Sequence, residues 1–258
     1  MRRLALRGAE IAVTLALLAI WWLWSTRTES FYFPPLPDVL RAFGETWVFE
    51  RAGSDVAPSL LRLGAGFAIA VVLGIAGGVL LGLSRAARRT AGPLVEFLRA
   101  IPPPALIPAA IVALGVGDVM KVVIITAACI WPILLNAIDG VVGVERTLVE
   151  TVRSYGVSGL DRIRFVVLPA AMPQIFAGMR TSLSIAIIVM VVSEMVGSTN
   201  GIGFFILEAQ RSFAIAEMWS GILLLGLLGY ALNHGFTLVE RRVLRWHRAA
   251  HAGGLART

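Results

Sequence analysis

Apolar positions along this chain are concentrated in six long runs, and short polar segments separate them. The runs cover roughly residues 9–25, 60–83, 94–117, 119–139, 175–197 and 218–240. A stretch of about 20 apolar residues is the length at which an α-helix crosses the hydrocarbon core of a bilayer. The pattern predicts an all-α integral membrane protein in which residues 1–258 form one domain with six transmembrane helices.

The composition agrees with a lipid environment. Of the 258 residues, 57% are hydrophobic and 15% are charged, whereas about a quarter of the residues in soluble domains are charged. The formal net charge is +7, but the arginines stand in short clusters between the apolar runs. This distribution is typical of loops that flank membrane spans. We therefore expect the lipid membrane, and no nucleic acid, among the partners.

The arginine clusters also predict the orientation of the chain. They precede the first run, separate the second from the third and the fourth from the fifth, and follow the sixth. With six spans, all these clusters fall on one side, and the positive-inside rule assigns that side to the cytoplasm. Both termini are therefore expected in the cytoplasm.

A short helix is predicted in the loop after the first run. Asp38 can cap this helix, and Val39, Leu40, Phe43 and Trp47 share one of its faces. Two placements fit the pattern: the helix lies in the outer membrane interface, or it packs on the helix bundle.

Three consecutive prolines interrupt the third run. Pro102, Pro103 and Pro104 each remove a helical hydrogen-bond donor. Irregular backbone is tolerated at membrane depth only where protein or a water-filled cavity satisfies it. We therefore expect a broken helix that lines a cavity, and a kink that serves helix packing alone is the alternative.

Two spacings predict helix contacts. Gly74, Gly78 and Gly82 lie four residues apart in the second run, which predicts a face that another helix approaches closely. Glu96 and Arg99 lie three residues apart and are predicted to pair on one helix face.

Polar residues within the spans are candidates for function. Glu194 lies near the outer end of the fifth run, where a carboxylate must face protein or water. Structural pairing and a gate are both compatible with this position. Asn136, near the inner end of the fourth run, is a second polar candidate.

The longest predicted cytoplasmic loop covers residues 140–174. Val144, Leu148 and Val152 recur at helical spacing, and Gly156 can supply the left-handed residue that ends this helix. Ser158 and Asp161 form a capping-box pair that opens a second helix.

We expect Pro169 to stop that second helix. Two short amphipathic helices joined by a glycine turn form a compact projection, which suits docking into a groove of a cytoplasmic partner.

This loop resembles the signature of permease subunits of binding-protein-dependent ABC importers. The signature reads Glu-Ala-Ala, three residues, Gly, nine residues, then Ile-x-Leu-Pro, and Glu150, Gly156, Leu168 and Pro169 match it. The two alanines and the isoleucine are replaced by Thr151, Val152 and Val166. The resemblance implies that short coupling helices between spans four and five insert into an ATPase subunit.

The resemblance extends over most of the chain. The stretches PPLPDVLRAF, SLLRLGAGF, FLRAIPPPALIPA, ETVRSYGVSG, VSEM and NGIGFFI are similar to the branch that imports nitrate, alkanesulfonates and taurine. Some members of that branch carry vitamin precursors such as pyrimidines or riboflavin instead, and both cargo classes stay open.

The resemblance implies a bacterial inner-membrane subunit that forms the path for a small anionic solute. Its implied partners are ATPase subunits, a second permease copy or paralogue, and a periplasmic or lipid-anchored binding protein. The expected coupling residues are Glu150, Arg153, Ser154, Tyr155, Gly156, Ser158, Leu160, Leu168 and Pro169. The candidates for the translocation path are Pro102, Pro103, Pro104, Asn136 and Glu194.

Catalytic motifs are absent from the sequence. It contains no Walker A motif, so ATP hydrolysis is expected on a separate subunit. It contains no catalytic constellation and no Cys/His cluster with metal-ligand spacing, so we expect no enzymatic activity, cofactor or metal. A secondary transporter working without ATP is a rival, but such a protein is expected to show internal repeats and paired intramembrane charges. Neither is found in the sequence.

Overall fold

The computed structural model describes residues 12, 13, 16, 19–25, 27, 31–157 and 159–246. Within these residues all regular secondary structure is helical, as the apolar runs predict. Residues 19–25 are helical, but most of the predicted first span, 9–25, lies outside the described residues.

Ten α-helices follow residue 31 in the described part of the chain. They are α1 Leu36–Phe43, α2 Ala57–Leu83, α3 Arg85–Ala100, α4 Ile107–Leu114, α5 Asp118–Val142, α6 Arg146–Ser154, α7 Gly159–Arg162, α8 Leu168–Val196, α9 Ile202–Arg211 and α10 Ile215–Val243. Wider π-type turns cover Gly44–Glu50, Ala52–Val56 and Ile163–Val167, and a 3-10 turn covers Pro103–Leu106.

Four helical segments in the described residues are long and apolar enough to cross a membrane. They are Ala52–Leu83, Asp118–Val142, Gly159–Val196 and Ile215–Val243. These segments correspond to the predicted second, fourth, fifth and sixth spans. A fifth crossing is available if α3 and α4 together form one span.

The predicted third span is broken, as its prolines indicate. Helices α3 and α4 meet at an angle of 84°. Ile101 and Pro102 between them are extended, with ψ of 119° and 124°, because a residue that precedes proline avoids the helical region.

The helix that contains the first part of this span begins before residue 94, the predicted start of the span. Helix α3 begins at Arg85, where the Ser84 hydroxyl accepts a hydrogen bond from Ala87 N at 3.2 Å. The arginines between the second and third apolar runs, which were expected in a loop, therefore lie on this helix.

Helices α2, α5 and α8 form the apolar core. The glycine face of α2 packs against α5, which confirms the predicted close approach. A Cβ atom added to Gly74 would lie 2.8 Å from Ile133 Cγ2, and one added to Gly78 would lie 2.8 Å from the Leu134 carbonyl oxygen. Small residues let the two backbones approach at these positions.

Replacing Gly78 by alanine is expected to separate α2 from α5 and to destabilise the protein by about 1–3 kcal/mol, the usual cost of overpacking. Gly64→Ala is the matched control on the same helix, because nothing lies within 4 Å of its added Cβ. Detergent-induced unfolding of both variants, followed by tryptophan fluorescence, measures the difference. Equal stability of the two variants would show that the contact at Gly78 is not tight.

Helix α1 packs on the bundle rather than lying free in the interface. Val39 and Trp47 are buried, and Trp47 Nε1 donates to Ser220 Oγ of α10 at 3.0 Å. Leu40, predicted on the same face, is 52% exposed. Asp38 is not the cap: α1 already begins at Leu36, and Asp38 lies in the first turn.

Candidate functional site

The loop between α5 and α8 carries the residues of the importer signature. Helix α6 has an apolar side, on which Val149 and Val152 are half-buried. Val144, which precedes the helix, packs against the core formed by Ala137 and Ile175. No residue of α6 is fully buried. The signature residues Glu150, Arg153, Ser154 and Tyr155 are exposed, so α6 presents its polar side away from the protein.

Gly156 ends this helix in the predicted left-handed conformation, with φ of +79°. Gly156 N donates to the Arg153 carbonyl at 3.0 Å, and Val157 N donates to the Val152 carbonyl at 3.2 Å. These two bonds define a Schellman motif with glycine at C′. The sharp turn after α6 is therefore a property of Gly156.

Pro169 does not stop the second helix of the loop, so that prediction is wrong. Helix α7 continues through the wide turn Ile163–Val167 into α8, and Pro169 lies in the first turn of α8. Proline is tolerated at this position, because the first N–H groups of a helix lack partners within it. Leu160 is 79% exposed, and Ser158 lies outside the described residues.

A group of polar side chains lies at the opposite end of α5 and α8 from this loop. We call Ser59, Arg62, Asp118, Glu194 and Asn200 the polar cluster. Helix α5 starts at Asp118, and α8 ends two residues after Glu194. The two helices span about 37 Å between the polar cluster and the loop.

Arg62 connects the members of the polar cluster. Its Nη1 donates to Glu194 Oε1 at 2.9 Å, its Nε donates to Asp118 Oδ1 at 2.7 Å, and its Nη2 donates to Asn200 Oδ1 at 2.5 Å. Arg62 is 5% exposed. A planar guanidinium with five donors suits several partners at fixed angles.

Glu194 is completely buried and fully hydrogen-bonded. Ser59 Oγ donates to the carboxylate at 2.8 Å, and Gly203 N donates to Oε2 at 3.0 Å. Gly201 has φ of +119°, and a Cβ there would lie 2.5 Å from Glu194 Cδ. This enclosure favours structural pairing over a gate, and a place for Glu194 on the path stays a prediction.

Most of this cluster was not predicted from the sequence, in which no paired intramembrane charges were found, whereas the structure pairs Arg62 with Glu194. Helix α9 was also not predicted, although Ile202, Phe205 and Ile206 recur at helical spacing and are buried. That spacing is the signal that could have predicted α9.

The other candidates for the path lie apart from Glu194 along the helices. Pro102 and Pro104 are exposed at the break, and Pro103 is half-buried. Asn136 accepts a hydrogen bond from Gln174 Nε2 at 2.9 Å. Their contact with a translocation path stays a prediction.

The remaining predictions concern an ion pair and metal binding. Arg99 Nε donates to Glu96 Oε2 at 2.7 Å, which confirms the predicted pair. Within the described ranges no group of three or more His, Cys, Asp or Glu side chains could hold a metal ion.

Comparisons with known proteins all point to membrane components of transport systems. Residues 70–246 match the model of the family described as binding-protein-dependent transport system inner membrane component. The chain is 29% identical to the taurine transport system permease protein of Escherichia coli, over 92% of this chain and 89% of that protein. It is 31% identical to the bicarbonate transport system permease protein of Synechococcus elongatus, over 91% and 88% of the two chains.

Two further similarities have lower coverage of this chain. The putative aliphatic sulfonates transport permease protein of Bacillus subtilis is 31% identical over 74% of this chain and 69% of that protein. A solved structure of the MetNI methionine ABC transporter in an inward-facing conformation has a TM-score of 0.66 at 22% identity. It covers 73% of this chain and 94% of the solved chain, and it shows a shared fold.

Proposed function

Since the chain belongs to the family of binding-protein-dependent transport system inner membrane components, we propose that it forms the path for a small oxyanion through a bacterial inner membrane. It is a permease subunit of an ABC importer. Such a subunit works with an ATPase and a substrate-binding protein, so ATP is hydrolysed outside this chain.

The cargo class is supported by the names of the relatives. Taurine, aliphatic sulfonates and bicarbonate are the solutes named for proteins that match most of this chain. Each of these solutes carries a negatively charged group of oxygen atoms. We propose the same chemistry, a sulfonate or bicarbonate type of oxyanion, for the cargo of this permease.

Reconstitution tests this proposal. The permease, its ATPase subunits and its binding protein are placed in proteoliposomes, and uptake of radiolabelled taurine, ethanesulfonate, nitrate and bicarbonate is compared with uptake of a pyrimidine. ATP-dependent uptake of an oxyanion supports the proposal. ATP-dependent uptake of the pyrimidine alone, or uptake that needs no ATP, contradicts it.

We further propose that α6 and the turn after it dock into the ATPase subunit. The exposed side chains Glu150, Arg153 and Tyr155 supply a polar docking surface, and Tyr155 is 83% exposed. The loop joins the ends of α5 and α8, so a displacement of the loop acts on two core helices. We also propose that a second permease subunit completes the path. No residue of α3 is buried within this chain, so this helix is available for such a contact.

The proposed orientation predicts opposite labelling of the two ends of the core helices. In a Cys129→Ala background, Tyr155→Cys is expected to react with an impermeant maleimide only from the cytoplasmic side. Ser54→Cys, at an exposed position near the start of α2, is expected to react only from outside. Right-side-out and inside-out vesicles give this comparison, and labelling of both positions from one side would exclude this topology.

The break between α3 and α4 is expected to be needed for transport. Pro102→Ala combined with Pro103→Ala lets residues 101 and 102 become helical, which straightens the span. We expect uptake to fall about ten-fold or more while membrane insertion stays normal. A ten-fold loss corresponds to a free-energy change of about 1.4 kcal/mol. Pro108→Ala is the control, because Pro108 lies in the first turn of α4, where proline is tolerated. Full uptake by the double variant would make the break dispensable.

A further inference from the structure

A small polar pocket lies beside the polar cluster, between the start of α5 and the loop after α8. It has a volume of about 240 Å³. Its lining includes Arg62, Gly117, Asp118, Lys121 and the loop residues 197–200. Pockets for drug-sized ligands have about 300–1,000 Å³, so this pocket has room for a smaller molecule such as an oxyanion.

Lys121 is the unusual residue of this pocket. Its side chain is 3% exposed, and its charged partner among the described residues is Asp118, with Nζ 3.7 Å from Oδ1. This distance is too long for a hydrogen bond. An ammonium group has three donors. Within the described residues no buried side-chain nitrogen lacks a hydrogen-bond partner, so Nζ is open to the pocket and its donors are available to a molecule bound there.

The acidic side chains around Lys121 leave its donors available. Glu194 is already bonded by Ser59, Arg62 and Gly203 N. Asp118 Oδ1 accepts from Arg62 at 2.7 Å, and the side chain of Asp118 is 70% exposed. The carboxylate that stands nearest to Lys121 is thus held by another cation at the pocket mouth.

The N-terminus of α5 adds positive electrostatic potential to the side of the pocket that Lys121 lines. The N-cap of α5 is Gly117, and no side chain caps the helix. The first N–H groups of an α-helix lack partners within the helix, and its N-terminus carries about half a positive charge. Free N–H groups at a helix N-terminus bind anions readily. Together with the buried ammonium of Lys121, they make a site for negative charge.

We propose that this pocket binds the oxyanion cargo directly on the permease, through the Lys121 ammonium and the start of α5. The inference rests on the proposed function for its cargo class. Because the pocket lies at the opposite end of the core helices from the coupling loop, it is the place where the cargo first contacts the permease. The oxyanion accepts hydrogen bonds from the Lys121 ammonium, and Asp118 competes with it for the same ammonium.

The sequence offers a direct test, because Lys121 is the sole lysine of the chain. The full-length permease is produced with lysine carrying carbon-13 at Cε and placed in nanodiscs, so that its lysine signal reports one ammonium group. Methanesulfonate, taurine, bicarbonate and sulfate are titrated, with sodium chloride at equal ionic strength as the reference. A saturable shift with the oxyanions and none with chloride is expected. No saturable shift, or an equal one with chloride, overturns the proposal.

Two variants separate the parts of the site. Lys121→Met is expected to weaken binding of radiolabelled taurine or sulfate by about ten-fold or more, as for loss of a hydrogen bond to a charged group. Asp118→Asn removes the competing carboxylate, and the Lys121 signal of that variant is expected to saturate at a lower oxyanion concentration. Weaker oxyanion binding by Asp118→Asn contradicts the competition.

The outcome for the pocket is distinguishable from the outcome for the proposed function. ATP-dependent oxyanion uptake by the complete importer, with a silent Lys121 signal, removes the pocket and leaves the function. A saturable Lys121 signal in a permease whose complete importer moves the pyrimidine alone confirms an oxyanion site and removes the cargo assignment.

Discussion

Gly156→Val is expected to lose ATP-coupled uptake while the permease still inserts into the membrane. Gly156 has φ of +79°, and an added Cβ would meet nothing within 4 Å. The effect is therefore conformational. The left-handed region costs an ordinary residue roughly 1–2 kcal/mol, and a β-branched residue is a genuine outlier there. Because about 1.4 kcal/mol is a factor of ten, the equilibrium constant for forming the turn after α6 would fall about ten-fold or more.

The matched control is Gly156→Asn, since asparagine tolerates the left-handed conformation. It is expected to retain most of the coupled activity, and Gly156→Ala is expected to fall between the two. Co-purification with the ATPase subunits and cargo-stimulated ATP hydrolysis are measured for all three variants. Normal values for the valine variant would mean that the loop conformation does not transmit the ATPase cycle.

Arg62→Met is expected to destabilise the permease by about 3–5 kcal/mol, the usual cost of breaking a buried ion pair. The substitution leaves the fully buried carboxylate of Glu194 without its cation. It also removes the donors that hold Asn200 and Asp118. Thermal unfolding in nanodiscs is the measurement.

A double-mutant cycle identifies the source of that loss. Arg62→Met combined with Glu194→Met is expected to recover much of the stability, since replacing both members of a buried pair by apolar residues is often neutral. The exposed pair Glu96–Arg99 supplies the comparison, and Arg99→Met is expected to cost at most about 1 kcal/mol. Similar losses of stability for Arg62→Met and Arg99→Met would show that the buried pair contributes no more than the exposed pair.

The helices were predictable where their signal is local. The apolar length of the second, fourth, fifth and sixth runs predicted the long helices, and the prolines at 102–104 predicted the break. Gly156 was predictable because its left-handed conformation depends on its own lack of a side chain. These features need no knowledge of the partners of a residue in space.

The polar cluster depends on contacts between distant residues. Arg62 and Glu194 are 132 positions apart along the chain, and nothing in the local pattern joins them. Pro169 was misread for a related reason: a proline can stop one helix or begin another, and the wide turn Ile163–Val167 decides between these outcomes. The cargo of an importer is likewise a property that the helical pattern does not encode.

The tight seam between α2 and α5 has a mechanical consequence. With Ile133 and Ala137 packed against the glycine face of α2, the two helices have no space in which to slide past each other, so we expect them to tilt together. A rotation of about 5° at the loop end would move the far end of a 25-residue helix by roughly 3 Å, given a rise of about 1.5 Å per residue. The displacement of that end is then proportional to the length of α5, and shortening α5 by one turn would reduce it by about a seventh.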